Sequence, residues 1–160
     1  MKLILKRGNI STNSVSHWSW IFRDLPDAKG KGLGINCDDS KTDMPRILIF
    51  DDDQDLLEMV GTALTVKGYD VCLVHKAQEF FDTIKEFRPN LVLLDIFLGE
   101  ADGRELCRKI KNSESYNKIP VLLYSAGFVS NASIESCGAD DFLLKPFDLN
   151  QLHQKISVLA

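Results

Sequence analysis

Ile47-Leu48-Ile49-Phe50-Asp51-Asp52-Asp53 runs four apolar residues straight into three acids, and the rest of the chain is read outward from it. So short an apolar run fits a strand buried on both faces, with polar chemistry at its carboxyl end. Three further runs repeat the design: residues 91–94 meet Asp95, residues 121–124 meet Ser125, and residues 142–144 meet Lys145. If these are neighbouring parallel strands, their ends gather three acids, a hydroxyl and an ammonium at one sheet edge.

From Arg46 onward the chain alternates strand-like runs with helix-like stretches five times, the pattern of βα units around a parallel sheet. The strands are predicted at 46–50, 70–74, 91–94, 121–124 and 142–144. Leu56, Leu57, Val60, Ala63 and Leu64 mark the first helix, closed by Gly68; Phe80, Phe81, Ile84 and Phe87 mark the second, stopped by Pro89. Leu106, Cys107 and Ile110 mark the third, with Asp102 as cap, and Leu149, Leu152, Ile156 and Leu159 the fifth, with Asp148 as cap. The fourth, around residues 131–137, is rich in Ser and Asn, which compete with helical hydrogen bonds. Its composition suits a moving element and a plain connecting turn equally. The run that ends at His75 is assigned to an edge strand, where a surface histidine is expected rather than a ligand.

Composition narrows the class. The 160 residues are 44% hydrophobic, enough for one cored domain with some surplus. Residues 44–160 hold 12 Lys and Arg against 18 Asp and Glu, whereas residues 1–43 hold seven against five. The acidic main body argues against nucleic acid as a direct partner. Cys37, Cys72, Cys107 and Cys137 are scattered, without metal-ligand spacing, and fit free thiols in a reducing cytoplasm. Leu3–Leu5 is too short for a secretory signal, and no apolar stretch approaches the roughly 18 residues of a membrane span. A cytoplasmic protein without membrane contact is expected. Residues 1–43 have the composition of a disordered extension, with Trp18 and Trp20 as its only aromatic anchor of note, and Met44 resembles an ordinary start, so this segment also fits a misassigned start codon.

At the sheet edge, carboxylates about 5 Å apart repel by ~3 kcal/mol per pair at an effective dielectric of 20. A hard dication offsets this, and magnesium accepts carboxylates, water and phosphate oxygens. Taken singly, Asp51–Asp53 reads as a solvated loop, Ser125 as a strand-end cap and Lys145 as a surface lysine. Asp95, after an independent apolar run, turns the balance toward a magnesium and phosphoryl site. Asp95 at the central strand is then the natural nucleophile, Lys145 compensates charge, and Ser125 donates to a phosphoryl oxygen past the small Ala126.

The residues Ile47-Leu-Ile-Phe-Asp51-Asp52-Asp53, Leu91-Val-Leu-Leu-Asp95, Asp102-Gly103, Ser125-Ala126 and Gly138-Ala-Asp-Asp-Phe142-Leu-Leu-Lys145-Pro146-Phe147 closely resemble the receiver domain of two-component response regulators, in order and spacing, over residues 46–159. The resemblance implies a flavodoxin-like (βα)5 fold of three layers, with a doubly wound parallel sheet of order 2-1-3-4-5. It implies phosphorylation of Asp95 by a histidine kinase or histidine phosphotransfer protein, with Mg2+ held by Asp51, Asp52, Asp95 and the backbone carbonyl of Phe97. Ser125 and Phe142 would be the switch pair, and Lys145–Pro146 a cis peptide. The chain would catalyse only its own phosphorylation and dephosphorylation. With no domain after Ala160, residues 44–160 are expected to act as a stand-alone receiver. Its output would be a protein contact through the fourth helix, fifth strand and fifth helix (the α4-β5-α5 face), or a phosphorylation-dependent homodimer.

Two departures matter. Gly99 stands where the family commonly has proline, which predicts a more mobile loop, and Phe97 is apolar where many relatives are polar, which predicts shielding of the acyl phosphate from water. Three competing readings remain: a haloacid-dehalogenase-type phosphatase using Asp51-x-Asp53, a flavodoxin-like FMN carrier, and a receiver-like module that has lost phosphorylation. Asp55 departs from the Thr or Val of the phosphatase motif, three acids would repel the FMN phosphate, and the inert module has no reason to keep the acids, Ser125 and Lys145 together.

Overall fold

The opening apolar run becomes β1 (Arg46–Phe50), followed by α1 (Gln54–Val66), β2 (Asp70–Val74) and α2 (Phe80–Phe87). Next come β3 (Leu91–Asp95), α3 (Gly103–Lys111), β4 (Val121–Ser125), α4 (Asn131–Cys137), β5 (Asp141–Leu144) and α5 (Leu149–Leu159). This computed structural model describes residues 44–127 and 129–160; the readings placed on residues 1–43, including Trp18, Trp20 and Cys37, lie outside the described residues. The sheet is parallel throughout, with order β2-β1-β3-β4-β5, as expected. Order reverses between β1 and β3, which opens the crevice where such sheets bind ligands.

Side chains of one strand alternate between two apolar layers. Ile47 and Ile49 of β1, Leu91 and Leu93 of β3, and Leu122 and Tyr124 of β4 pack with Leu57, Val60 and Leu64 of α1 and Leu152 and Ile156 of α5. Leu48, Phe50, Val92, Leu94, Val121 and Leu123 pack with α2, α3 and α4 through Phe80, Ile84, Leu106, Ile110 and Ile134. The strict period of two in strands apolar on both faces sets helices on both sides, giving three layers.

Caps appear where short polar side chains precede the helices. Asp53 accepts from the N–H groups of Asp55 and Leu56, each at 3.1 Å, and Asp102 accepts from Arg104 N–H at 2.9 Å. Asp148 and Gln151 form a reciprocal capping box at α5. The second helix ends at Phe87, with Arg88 left-handed before Pro89.

The structure departs from the predicted elements in detail. Asp95 and Ser125 are themselves the last residues of β3 and β4, and β5 begins one residue early at Asp141. The segment expected as a loop pairs Phe97–Leu98 with Ala101–Asp102 as a short antiparallel ribbon that turns at Gly99 and Glu100. The second helix is preceded by a 3-10 turn, Ala77–Glu79. His75 is exposed beyond the end of the edge strand β2, as expected. No helix among the described residues is long and apolar enough to cross a membrane.

Candidate functional site

Asp51 and Asp95 each follow the last core residue of their strand, and β1 and β3 pair with Phe50 opposite Leu94, so the two acids emerge side by side. Asp51 is 0% and Asp95 5% exposed, whereas Asp52 faces solvent. One oxygen from each of these three carboxylates lies within 4.8 Å of the others. Asp53 stays out of the group because its carboxylate caps α1.

Lys145 reaches the acids because β5 carries it to the same edge, where its backbone N–H donates to Ser125 O at 2.7 Å. Its Nζ lies 2.9 Å from Asp51 Oδ2 and 3.3 Å from Asp95 Oδ1. The following Lys145–Pro146 peptide is cis, as the resemblance implied. The ammonium also sits 4.4 Å above the centre of the Tyr124 ring, a cation–π contact.

Sequence reading missed Tyr124 as a site residue. Its hydroxyl donates to Asp51 Oδ2 at 2.6 Å, while Asp53 N–H donates to Asp51 Oδ1 at 2.9 Å. Burial, then the neighbouring Asp51 charge, hold the phenol far above its ordinary range, so it acts as a neutral donor. A buried tyrosine must find a partner for its hydroxyl, and that requirement was the available signal. These contacts hold both oxygens of Asp51 in a fixed orientation, and Asp53 is engaged as the cap of α1, which is not the acid position that the phosphatase reading gives it.

Asp95 is different. Its Oδ1 is buried and accepts no hydrogen bond; Lys145 is at ion-pair distance but not aligned to donate. Burial pushes the Asp95 carboxyl up to about 6, Lys145 opposes the rise, and Asp51 adds to it. A buried carboxylate oxygen with an ion-pair partner but no aligned donor keeps acceptor capacity for a further ligand. Converging carboxylates with one such oxygen form the donor set of a hard divalent cation.

Ser125, fully buried at the end of β4, accepts at Oγ from Gly127 N–H at 3.1 Å. Phe142 is half-buried against the α3–α4 side of the core, opposite Leu123 in the β4–β5 register and thus two residues below Ser125. Ala126 is exposed. Phe97 is 56% exposed, with its ring so close to Gly127 that a Cβ there would fall 2.9 Å from it. Gly103 follows Asp102 at the start of α3. A Cβ on it would lie 1.9 Å from the Asp95 carbonyl oxygen, so only glycine lets α3 start this close to β3.

A family model described as the response regulator receiver domain matches residues 47–157. The DNA-binding dual master transcriptional regulator RpaA of Synechocystis sp. is 36% identical over 124 residues, which cover 72% of this chain and 49% of that protein. The response regulator MprA of Mycobacterium avium is 34% identical over 116 residues, covering 71% and 50%. The chain therefore spans about half the length of these relatives. Among solved structures, a CheY-like response regulator receiver domain protein from Methanospirillum hungatei is 29% identical at a TM-score of 0.66, covering 72% of this chain and 92% of that one.

Proposed function

The chain belongs to the response regulator receiver domain family, and from that membership we propose that residues 44–160 are a phosphorylation switch in which Asp95 takes a phosphoryl group from a phosphohistidine donor. The donor is a sensor histidine kinase or a histidine phosphotransfer protein. The buried Asp95 oxygen that accepts no aligned hydrogen bond, set between two other carboxylates and paired in charge with Lys145, carries the reading.

In the transfer, an Asp95 carboxylate oxygen forms a bond to phosphorus as the bond from phosphorus to the donor imidazole breaks, and the imidazole leaves with the electron pair. Above pH 6 the Asp95 carboxyl is ionised and able to attack. Asp51, Asp52, Asp95 and the Phe97 carbonyl would hold Mg2+, which supplies positive charge against the phosphoryl oxygens. Lys145, already between Asp51 and Asp95, places a second positive charge on the same side. Tyr124 and the Asp53 amide keep Asp51 oriented.

Ser125 Oγ exchanges its contact with the Gly127 amide for one to the new phosphoryl group, and half-buried Phe142 turns inward behind it. The output face is α4-β5-α5, where Leu144 and Leu149 are 54% and 43% exposed. Its partner is a downstream protein or a second copy of the chain, and the acidic balance of residues 44–160 disfavours direct contact with nucleic acid.

Incubating the full chain with a small acyl phosphate and Mg2+ tests this. One added phosphoryl group by intact mass, mapped to Asp95 and absent in Asp95→Asn, is expected. No adduct would favour a phosphorylation-inert module. Turnover of a simple phosphate ester that is lost in Asp51→Asn but kept in Asp95→Asn would favour a phosphatase.

A further inference from the structure

Asp52 is the exposed member of the carboxylate group, and among the described residues one backbone amide holds it: Gly99 N–H donates to Asp52 Oδ2 at 3.0 Å. Gly99 lies at the turn of the Phe97–Leu98/Ala101–Asp102 ribbon, 47 residues from Asp52 in sequence. A Cβ on Gly99 would stand 3.3 Å from the same Asp52 oxygen, closer than most side-chain contacts. Two properties of this residue therefore meet at one atom: it has an N–H, which proline lacks, and it has no side chain.

We infer that Gly99 is a positioning residue for the cation site, its amide holding the solvent-facing ligand Asp52 in a metal-ready orientation. The inference rests on the proposed Mg2+ site and adds a residue to it. A carboxylate has two oxygens and about four acceptor positions, so the amide contact leaves Asp52 able to bind metal while removing its freedom to swing into water. The contact is charge-assisted, and a hydrogen-bonded carboxylate ligand is a recurrent means of raising metal affinity. It also ties the ribbon bearing Phe97 to the acidic group.

The test uses the full chain with Mn2+ as a paramagnetic probe, free ion being counted by electron paramagnetic resonance. Gly99→Pro removes the donor and should weaken binding on the order of fivefold, below the common range for partners of metal ligands because this contact is open to water. Gly99→Ala keeps the donor and should stay within about twofold of the unmodified chain, since the charge-assisted bond remains. Independently of metal, exchange of the Gly99 amide with deuterium should speed up in Asp52→Ala, and this measurement decides if Gly99→Pro fails to fold. Unchanged affinity in Gly99→Pro, equal weakening in both Gly99 variants, or exchange at Gly99 indifferent to Asp52→Ala would each overturn the inference. An unmodified chain that binds no Mn2+ defeats the proposed cation site itself and this inference with it, a result distinct from the other three.

Discussion

Tyr124 Oη donates a 2.6 Å hydrogen bond to Asp51 Oδ2, linking the ends of β4 and β1 across the intervening strand β3. Tyr124 stands opposite Asp95 in the β3–β4 register, so the residue that orients one acid is a neighbour of the other. Removing the hydroxyl in Tyr124→Phe leaves that oxygen of Asp51 with Lys145 as its only partner among the described contacts. A lost hydrogen bond to a buried charge costs about 2 kcal/mol, so urea unfolding should shift by that amount and phosphorylation from an acyl phosphate should slow. Unchanged stability in Tyr124→Phe would show that the bond contributes nothing net.

Asp95 makes the metal-free chain sensitive to pH. Its folded carboxyl titrates at about 6, above the ordinary value of 3.8, so the native state holds a proton more readily than the unfolded chain. The ionised form therefore destabilises the fold fully above pH 6, and the penalty is relieved as pH falls from 6 toward 4. The shift corresponds to roughly 3 kcal/mol. Asp95→Asn should raise the melting temperature at pH 8 and have little effect at pH 4, while abolishing phosphorylation. Thermal unfolding of both chains across this range, with chelator present, checks it; equal gains at both ends would remove titration as the cause.

Lys145 balances two buried carboxylates at once. Truncation in Lys145→Met strands both, and breaking a buried ion pair of this kind costs roughly 3 kcal/mol or more. Mg2+ should restore part of the loss, because a dication among the same acids supplies the missing charge. The measurement is melting temperature with and without Mg2+, and a variant that gains no more from the ion than the unmodified chain does would contradict the shared electrostatic role.

Gly103 has no room for a methyl group, since its Cβ would overlap the Asp95 carbonyl at 1.9 Å. Gly103→Ala must push α3 away from β3 or fail to close the ribbon, and a loss of roughly 3 kcal/mol in chemical unfolding is expected. A neutral result would mean that α3 shifts freely, which its contacts through Leu106, Cys107 and Ile110 oppose.

Phe97 rests its half-exposed ring on Gly127, beside the amide that Ser125 Oγ engages. Its apolar character predicts shielding of an acyl phosphate on Asp95 from water. Phe97→Asn should therefore lose the phosphoryl group from Asp95 severalfold faster, followed by intact mass after donor removal. Unchanged or slower loss rejects the shielding role.

The sequence alone determined the five βα units, the sheet order through the resemblance they carry, and the strand ends at Asp51, Asp95, Ser125 and Lys145. These are written in local patterns: apolar runs of strand length, helical periodicity, and capping acids such as Asp102 and Asp148. The resemblance also singled out Asp51, Asp52 and Asp95 as the acids that converge; only the tertiary structure decided what each side chain touches. Asp52 and Asp53 are consecutive, yet one joins the acidic group and the other caps a helix. Tyr124 reads as core until β1 and β4 are set on either side of β3, and Gly99 as a loop glycine until its amide is found 3.0 Å from Asp52. The reason is physical. Propensity and periodicity act over a few residues, whereas the distance between side chains 47 or 73 positions apart is set by how the strands pair and where their ends rise above the sheet.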